Sequence, residues 1–206
     1  MPNLTGYKKF MSDSEIRLLL EFINKQSEQI KLIFHILIFM GLRVGEVVTL
    51  KRENLQGNKL VFPLEKSHRV HTRIVPSFLV KELYDYVNKH NIRDGFMFST
   101  KYSYRYNGGH NHIQRSSIGW YVKMFREKHG LTDSYYTQKH GNKLYRISTH
   151  TIRHWHLTKL YEKSNHDVLL VADIIGHKKL ETTFQYLRAW KKLQREEELV
   201  NAMAAI

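Results

Sequence analysis

Between Ile30 and Met40 only Lys31 and His35 interrupt an otherwise apolar run. A helix that is apolar nearly all round has no surface side. It must be covered by other elements, so the run predicts a central buried helix with the fold built around it. Leu32 to Met40 is also far too short to span a bilayer. Gly41 breaks the helix, and Arg43 to Leu50 begins the next helical piece, with Arg43 and Glu46 on the same face.

The surrounding sequence supplies the cover. Ser12-Asp13-Ser14-Glu15 has the form of a capping box, and Ile16, Leu19, Leu20 and Ile23 follow at helical spacing. Lys59 to Phe62 and Val70 to Val75 read as two short strands joined by Lys66-Ser67-His68-Arg69, with Pro76 ending the second. Phe78, Leu79, Leu83, Tyr84 and Val87 describe an amphipathic helix, and Ile113 to His129 another. Ser99 to His112 reads as an ordered loop and Thr132 to Tyr145 as a polar stretch. Thr149 is read as the cap of a helix running to about Ser164; Asp167 opens the next, which Gly176 stops. A charged helix follows from about Lys191 to Met203. The predicted class is mainly α with a small antiparallel β-sheet: one domain over residues 1–206, its core at about 12–189 and a helical tail at about 190–206.

Against 19 acidic residues stand 33 lysines and arginines, a net charge of +14. A surplus of that size favours a polyanionic partner, because each neutralised phosphate releases condensed counterions. The absence of cysteine excludes disulfide frameworks, thiolate zinc sites and cysteine nucleophiles. With no signal peptide in view, a cytoplasmic protein is expected, inside a host cell if the source is viral, and no membrane partner.

Four groups of residues carry chemistry: Arg43, His150 with Arg153, His177, and Tyr186. Cutting a phosphodiester without a metal needs a nucleophile, donors for the charge growing on the non-bridging oxygens, and a proton for the departing oxygen. Arginine suits the second task, since its rigid fork makes paired, charge-assisted hydrogen bonds. A tyrosine hydroxyl suits the first and leaves a covalent phosphotyrosine; histidine or lysine can move the protons. His150 and His154 stand four apart with His156 close by, but neither an HExxH arrangement nor a cysteine accompanies them, so no metal site is expected.

These segments resemble a known family. Gly41-Leu42-Arg43-Val44-Gly45-Glu46-Val47, His150-Thr151-Ile152-Arg153-His154, and Ile175-Gly176-His177 followed by Thr182-Thr183 and Tyr186 are similar, in order, to the three motifs of the tyrosine recombinase catalytic domain, the integrase and Xer class. The similarity runs from about Ser12 to Ala189. It implies that Tyr186 attacks the scissile phosphate to give a 3′-phosphotyrosine, that Arg43 and Arg153 hold the phosphate with His177 assisting, and that His150 helps in proton transfer. Glu46 would orient Arg43. A hairpin lysine would protonate the leaving 5′ oxygen; Lys66 is the choice, with Lys59 open and His68 or Arg69 behind them.

The resemblance implies a site-specific recombinase or integrase of a virus or mobile element. An Xer-type resolvase of chromosome dimers or a type IB topoisomerase-like enzyme is the near alternative, and a non-catalytic DNA-binding regulator the distant one. It further implies double-stranded DNA as partner, a homotetramer on that DNA, and no cofactor, neither metal nor ATP. Lys178, Lys179, Arg105 and His154 are candidate DNA contacts. Leu193, Leu199, Val200 and Met203 give the tail a sparse apolar side suited to docking on a neighbouring protomer. The family's N-terminal DNA-clamp domain is expected to be missing, because the motifs begin almost at residue 12.

Overall fold

The computed structural model describes residues 10–65, 69–99, 112–137, 143–177 and 179–204. Helix α1 (Asp13–Ile23) begins on the expected capping box: the Glu15 N–H donates to Ser12 Oγ at 3.2 Å and the Ser12 N–H to Glu15 Oε2 at 2.8 Å. Helix α2 (Glu28–Met40) is the central one, buried along Ile33, Phe34, Ile36, Leu37 and Ile38 on every side. Against it pack α1, α3 (Val44–Val48), α4 (Ser77–Lys89) and α6 (Thr149–Lys163), while α5 (Arg115–Lys128) packs on α3 and α6.

Strands β1 (Leu55–Gln56), β2 (Lys59–Pro63) and β3 (Val70–Ile74) form one antiparallel sheet in the order β1-β2-β3. Leu60 and Phe62 point from β2 into the core. The Leu64 N–H donates to the Arg69 carbonyl at 2.9 Å, which closes the β2–β3 hairpin. A second pair, β4 (Ser134–Thr137) with β5 (Lys143–Tyr145), lies within the stretch that the sequence leaves as polar connection. Two strands this short, with a register shift between Ser134 and Tyr136, show no alternation long enough to read.

Helices α7 (Val168–Ile175) and α8 (Leu180–Ala204) complete the chain. Two expectations change here. The cap of α6 is Ser148, whose Oγ accepts from the Thr151 N–H at 3.3 Å, and Thr149 is already helical. The charged helix expected from about Lys191 begins earlier: Tyr186 and the charged segment belong to one continuous α8. Leu187 and Trp190 tie the middle of α8 to a second apolar cluster formed by Leu157, Tyr161, Val171 and Ile175, so the helix runs through the supposed boundary. No helix among the described residues is long and apolar enough to cross a membrane.

Gly41 ends α2 in the left-handed conformation, φ 61°. A β-carbon there would stand 2.4 Å from Cδ2 of His156, inside contact distance. Gly41→Ala therefore meets both a backbone penalty and a clash, and it is expected to destabilise the fold by more than about 2 kcal/mol. A denaturant titration of the variant beside the parent measures this, and an unchanged midpoint would contradict it.

Candidate active site

Among the described candidates, Arg43 and His177 flank helix ends, and His150, Arg153 and Tyr186 lie in the first two turns of their helices. Arg43 is the N-cap of α3. Its backbone N–H donates to Glu46 Oε2 at 2.7 Å and its Nη1 to Glu46 Oε1 at 2.8 Å. The Glu65 N–H, next in chain to the undescribed hairpin tip, donates to the same Oε1 at 3.3 Å. Glu46 is itself buried, so its carboxylate joins α3 to the base of the hairpin tip. The Arg43 side chain keeps 17% of its surface open, which leaves room for a substrate anion.

Arg153 enters from the first turn of α6 and is only 4% exposed. Nη1 donates to the Gly41 carbonyl at 2.5 Å and Nη2 to the Ile175 carbonyl at 3.1 Å; Glu46 Oε2 lies 4.0 Å from Nη1. A guanidinium carries five N–H donors, so these bonds leave others to be aimed at a substrate oxygen. Burial, and after it the Arg43 charge, pulls the Arg153 pKa down to about 9, while Glu46 and Tyr186 act the other way. The group therefore stays cationic at neutral pH.

Tyr186 lies in the second turn of α8, half-buried, with its hydroxyl 3.3 Å from His150 Nε2. His154, one turn beyond His150, packs under it: the His154 ring centroid is 4.3 Å from those of both Tyr186 and His150. His154 is buried, its ring packed against that of Tyr186. His177 follows the left-handed Gly176 that ends α7, and its Nδ1 is 2.8 Å from the Thr183 hydroxyl. Thr183, fully buried one turn before Tyr186, thus ties His177 to the helix that bears the tyrosine.

The structure therefore gathers Arg43, Glu46 and Arg153 into one ion-paired group, and His150, His154, His177 and Tyr186 into an adjoining aromatic one. Lys179 is exposed in the turn before α8. Lys66, Lys178 and Arg105 lie outside the described residues. Lys59 begins β2, paired with Ile74 at the end of the hairpin remote from its tip.

Three contributors escaped the sequence reading of the site. Thr183 stood only as part of a motif. Arg73, on β3, is buried and carries its charge beside Arg153. His156 is buried against Gly41, its Nδ1–H donating to the Ile38 carbonyl at 3.0 Å while Nε2 has no hydrogen-bond partner among the described residues. Burial first, then the Arg73 charge, holds its pKa down to about 3, against 6.5 for a free imidazole. The unfolded chain takes up that proton between pH 6.5 and 3 and the folded one does not. Stability present above pH 6.5 is thus lost as pH falls, by up to about 1.4 kcal/mol per pH unit. Denaturation at pH 7 and pH 5 should show a smaller difference for His156→Gln than for the parent; equal differences would exclude the effect.

The chain is similar to known proteins in sequence and in fold. The profile described as the phage integrase family matches residues 9–192. A tyrosine recombinase of Pseudothermotoga lettingae is 30% identical over 181 residues, covering 86% of this chain and 55% of that protein. Tyrosine recombinase XerA of Pyrococcus furiosus is 24% identical over 91% of this chain and 60% of its own length. Among solved structures, XerH bound to palindromic difH substrate in a post-cleavage complex superposes with a TM-score of 0.69 at 19% identity, over 94% of this chain and 53% of that one. The catalytic domain of bacteriophage HP1 integrase gives 0.59 at 20% identity over 87% of both chains. The chain spans about half to two-thirds of the length of the curated relatives it matches.

Proposed function

The chain belongs to the phage integrase family of tyrosine recombinases, and on that premise we propose that it cleaves and rejoins DNA at specific sites through a 3′-phosphotyrosine. The observation that carries this reading is the Tyr186 hydroxyl 3.3 Å from His150 Nε2, beside the Arg43–Glu46–Arg153 group. The Tyr186 oxygen attacks phosphorus and gives its proton to His150. As the new O–P bond forms, the bond from phosphorus to the 5′ oxygen breaks, and that oxygen takes a proton from Lys66. Arg43 and Arg153 hold the non-bridging oxygens through the pentavalent transition state, with His177 assisting. Attack by a 5′-hydroxyl then returns the tyrosine. The phosphotyrosine conserves the energy of the broken bond, so neither ATP nor a metal is required. For Lys66 over Lys59 speaks its neighbour Glu65, whose N–H is bonded to Glu46.

Double-stranded DNA is the partner, in keeping with the +14 charge, and the working assembly is a homotetramer on two duplexes inside the cell. Leu199, Val200 and Met203, exposed along the end of α8, support docking of that segment on a neighbouring copy. An integrase of a virus or mobile element is the first reading. An Xer-type resolvase is the second, favoured by the likeness to XerA and XerH.

The test is a pool of nicked duplexes of random sequence, in which the short fragment released by cleavage diffuses away and traps the intermediate. A denaturation-resistant protein–DNA band, undiminished by a chelator and mapping to Tyr186, is expected. No band would favour a DNA-binding regulator, and a band lost with the chelator would defeat the metal-free chemistry.

A further inference from the structure

Strand β3 inverts the rule that a half-buried strand turns its apolar side inward. Register with β2 sets Arg73 opposite Leu60 and His71 opposite Phe62. Cross-strand partners share a face, so both polar residues join two core residues on the buried side, while Val70 and Ile74 face solvent. Shifting the strand by one residue would reverse this, and the fold does not take that option. A buried guanidinium is unfavourable unless its donors find acceptors. Those of Arg73 find two: Nη2 donates to the Met40 carbonyl at 2.8 Å, and Nη1 to the Ile174 carbonyl at 2.7 Å.

These carbonyls belong to the last turns of α2 and α7, where helices leave acceptors unpaired and the dipole is negative. Both ends lead directly to site residues, α2 through Gly41-Leu42 to Arg43 and α7 through Gly176 to His177. One residue further on, Arg153 spans the same two ends through Gly41 and Ile175. His71 adds a bond from Nε2 to Ile174 at 3.0 Å, and Leu64 fills the space where a β-carbon of Gly176 would stand. Arg73 is only 8% exposed, its two Nη donors already engaged by the carbonyls of Met40 and Ile174.

We propose that Arg73 is a positioning residue for strand cleavage: it locks the ends of α2 and α7 to the β2–β3 hairpin, and so sets Arg43 and His177 at one separation around the phosphate. The proposal rests on the recombinase reading of the site. It requires the arginine fork, because the two carbonyls lie on different helices and a single ammonium cannot span them as a planar pair of donors does.

The test uses the DNA site that the wild type selects, in single-turnover cleavage with Arg73→Met and Arg73→Lys. The end-point gives the folded, active fraction and the rate constant gives the chemistry. A second substrate carries a methylphosphonate at the cut position, where one charged non-bridging oxygen is gone and exact placement of the oxygen-holding groups matters less. Both variants are expected to bind DNA as the wild type does and to cleave the phosphodiester about 100-fold more slowly, with the deficit shrinking at least about tenfold on the methylphosphonate. If Arg73→Met does not fold, Arg73→Lys, which keeps the charge, answers alone. An unchanged rate constant, an equal loss on both substrates, or a loss confined to the end-point overturns the proposal. A wild type that forms no adduct at all refutes the recombinase reading itself, and the proposal falls with it.

Discussion

Phenylalanine at position 186 is expected to erase the covalent protein–DNA adduct while leaving the fold almost untouched. The substitution removes one oxygen, the atom that would become bonded to phosphorus. The ring remains, so its packing over His154 at 4.3 Å between centroids is kept. The lost contact is a single 3.3 Å hydrogen bond to an exposed histidine, which contributes no more than about 1 kcal/mol. For a chain of this length the melting temperature should move by at most about 4 °C. Trapping on nicked DNA and a thermal melt measure both halves. A variant that still forms a denaturation-resistant band would move the nucleophile to another side chain.

Alanine at position 153 is expected to fail in two ways. Cleavage should fall by about 100- to 1000-fold, the range found when one preorganised donor to a transition-state oxygen is removed. Stability should fall as well, because the Gly41 and Ile175 carbonyls lose their donors inside the protein. Each orphaned buried carbonyl costs about 1–3 kcal/mol. Arg43→Ala should show the first loss with much less of the second, since that side chain is partly open and, among the described residues, bonds to Glu46. Cleavage rates and denaturation midpoints of the two variants, measured together, decide this. Equal stability losses would mean that the bridge between α2 and α7 is not what Arg153 holds.

The two arginines look equivalent in the chain, each a cationic donor within a short motif. Only the fold separates an open N-cap residue from a buried bridge. The same divide runs through the rest of the molecule. The Ser12–Glu15 capping box, the buried run ending at Gly41, and the Asp167 cap and Gly176 stop of α7 were legible because each depends on residues within one or two turns. The β4–β5 pair and the unbroken α8 were not. The former is too short to have a period, and the latter is anchored as far as Trp190 by packing on residues of α6 and α7.

His154 was read as a candidate DNA contact and lies beneath Tyr186, a position that helical spacing from His150 alone does not reveal. Arg73 could have been found. Leu60 and Phe62 mark the inward face of β2, and pairing across the hairpin carries that face to His71 and Arg73. The apolar Val70 and Ile74 pointed the other way and hid it.

What the amino-acid order determined by itself is the set of helices, their stops, and the candidate site residues in their sequence, since capping, periodicity and motif spacing are short-range. What the tertiary structure alone decided is which carbonyls meet which guanidiniums and which ring lies under the tyrosine. The longest of those contacts join residues more than a hundred positions apart, Arg73 to Ile174 and Arg153 to Gly41, and the guanidiniums' partners there are backbone oxygens that every residue carries alike. No side-chain pattern can announce an acceptor that is the same at every position; only packing selects it.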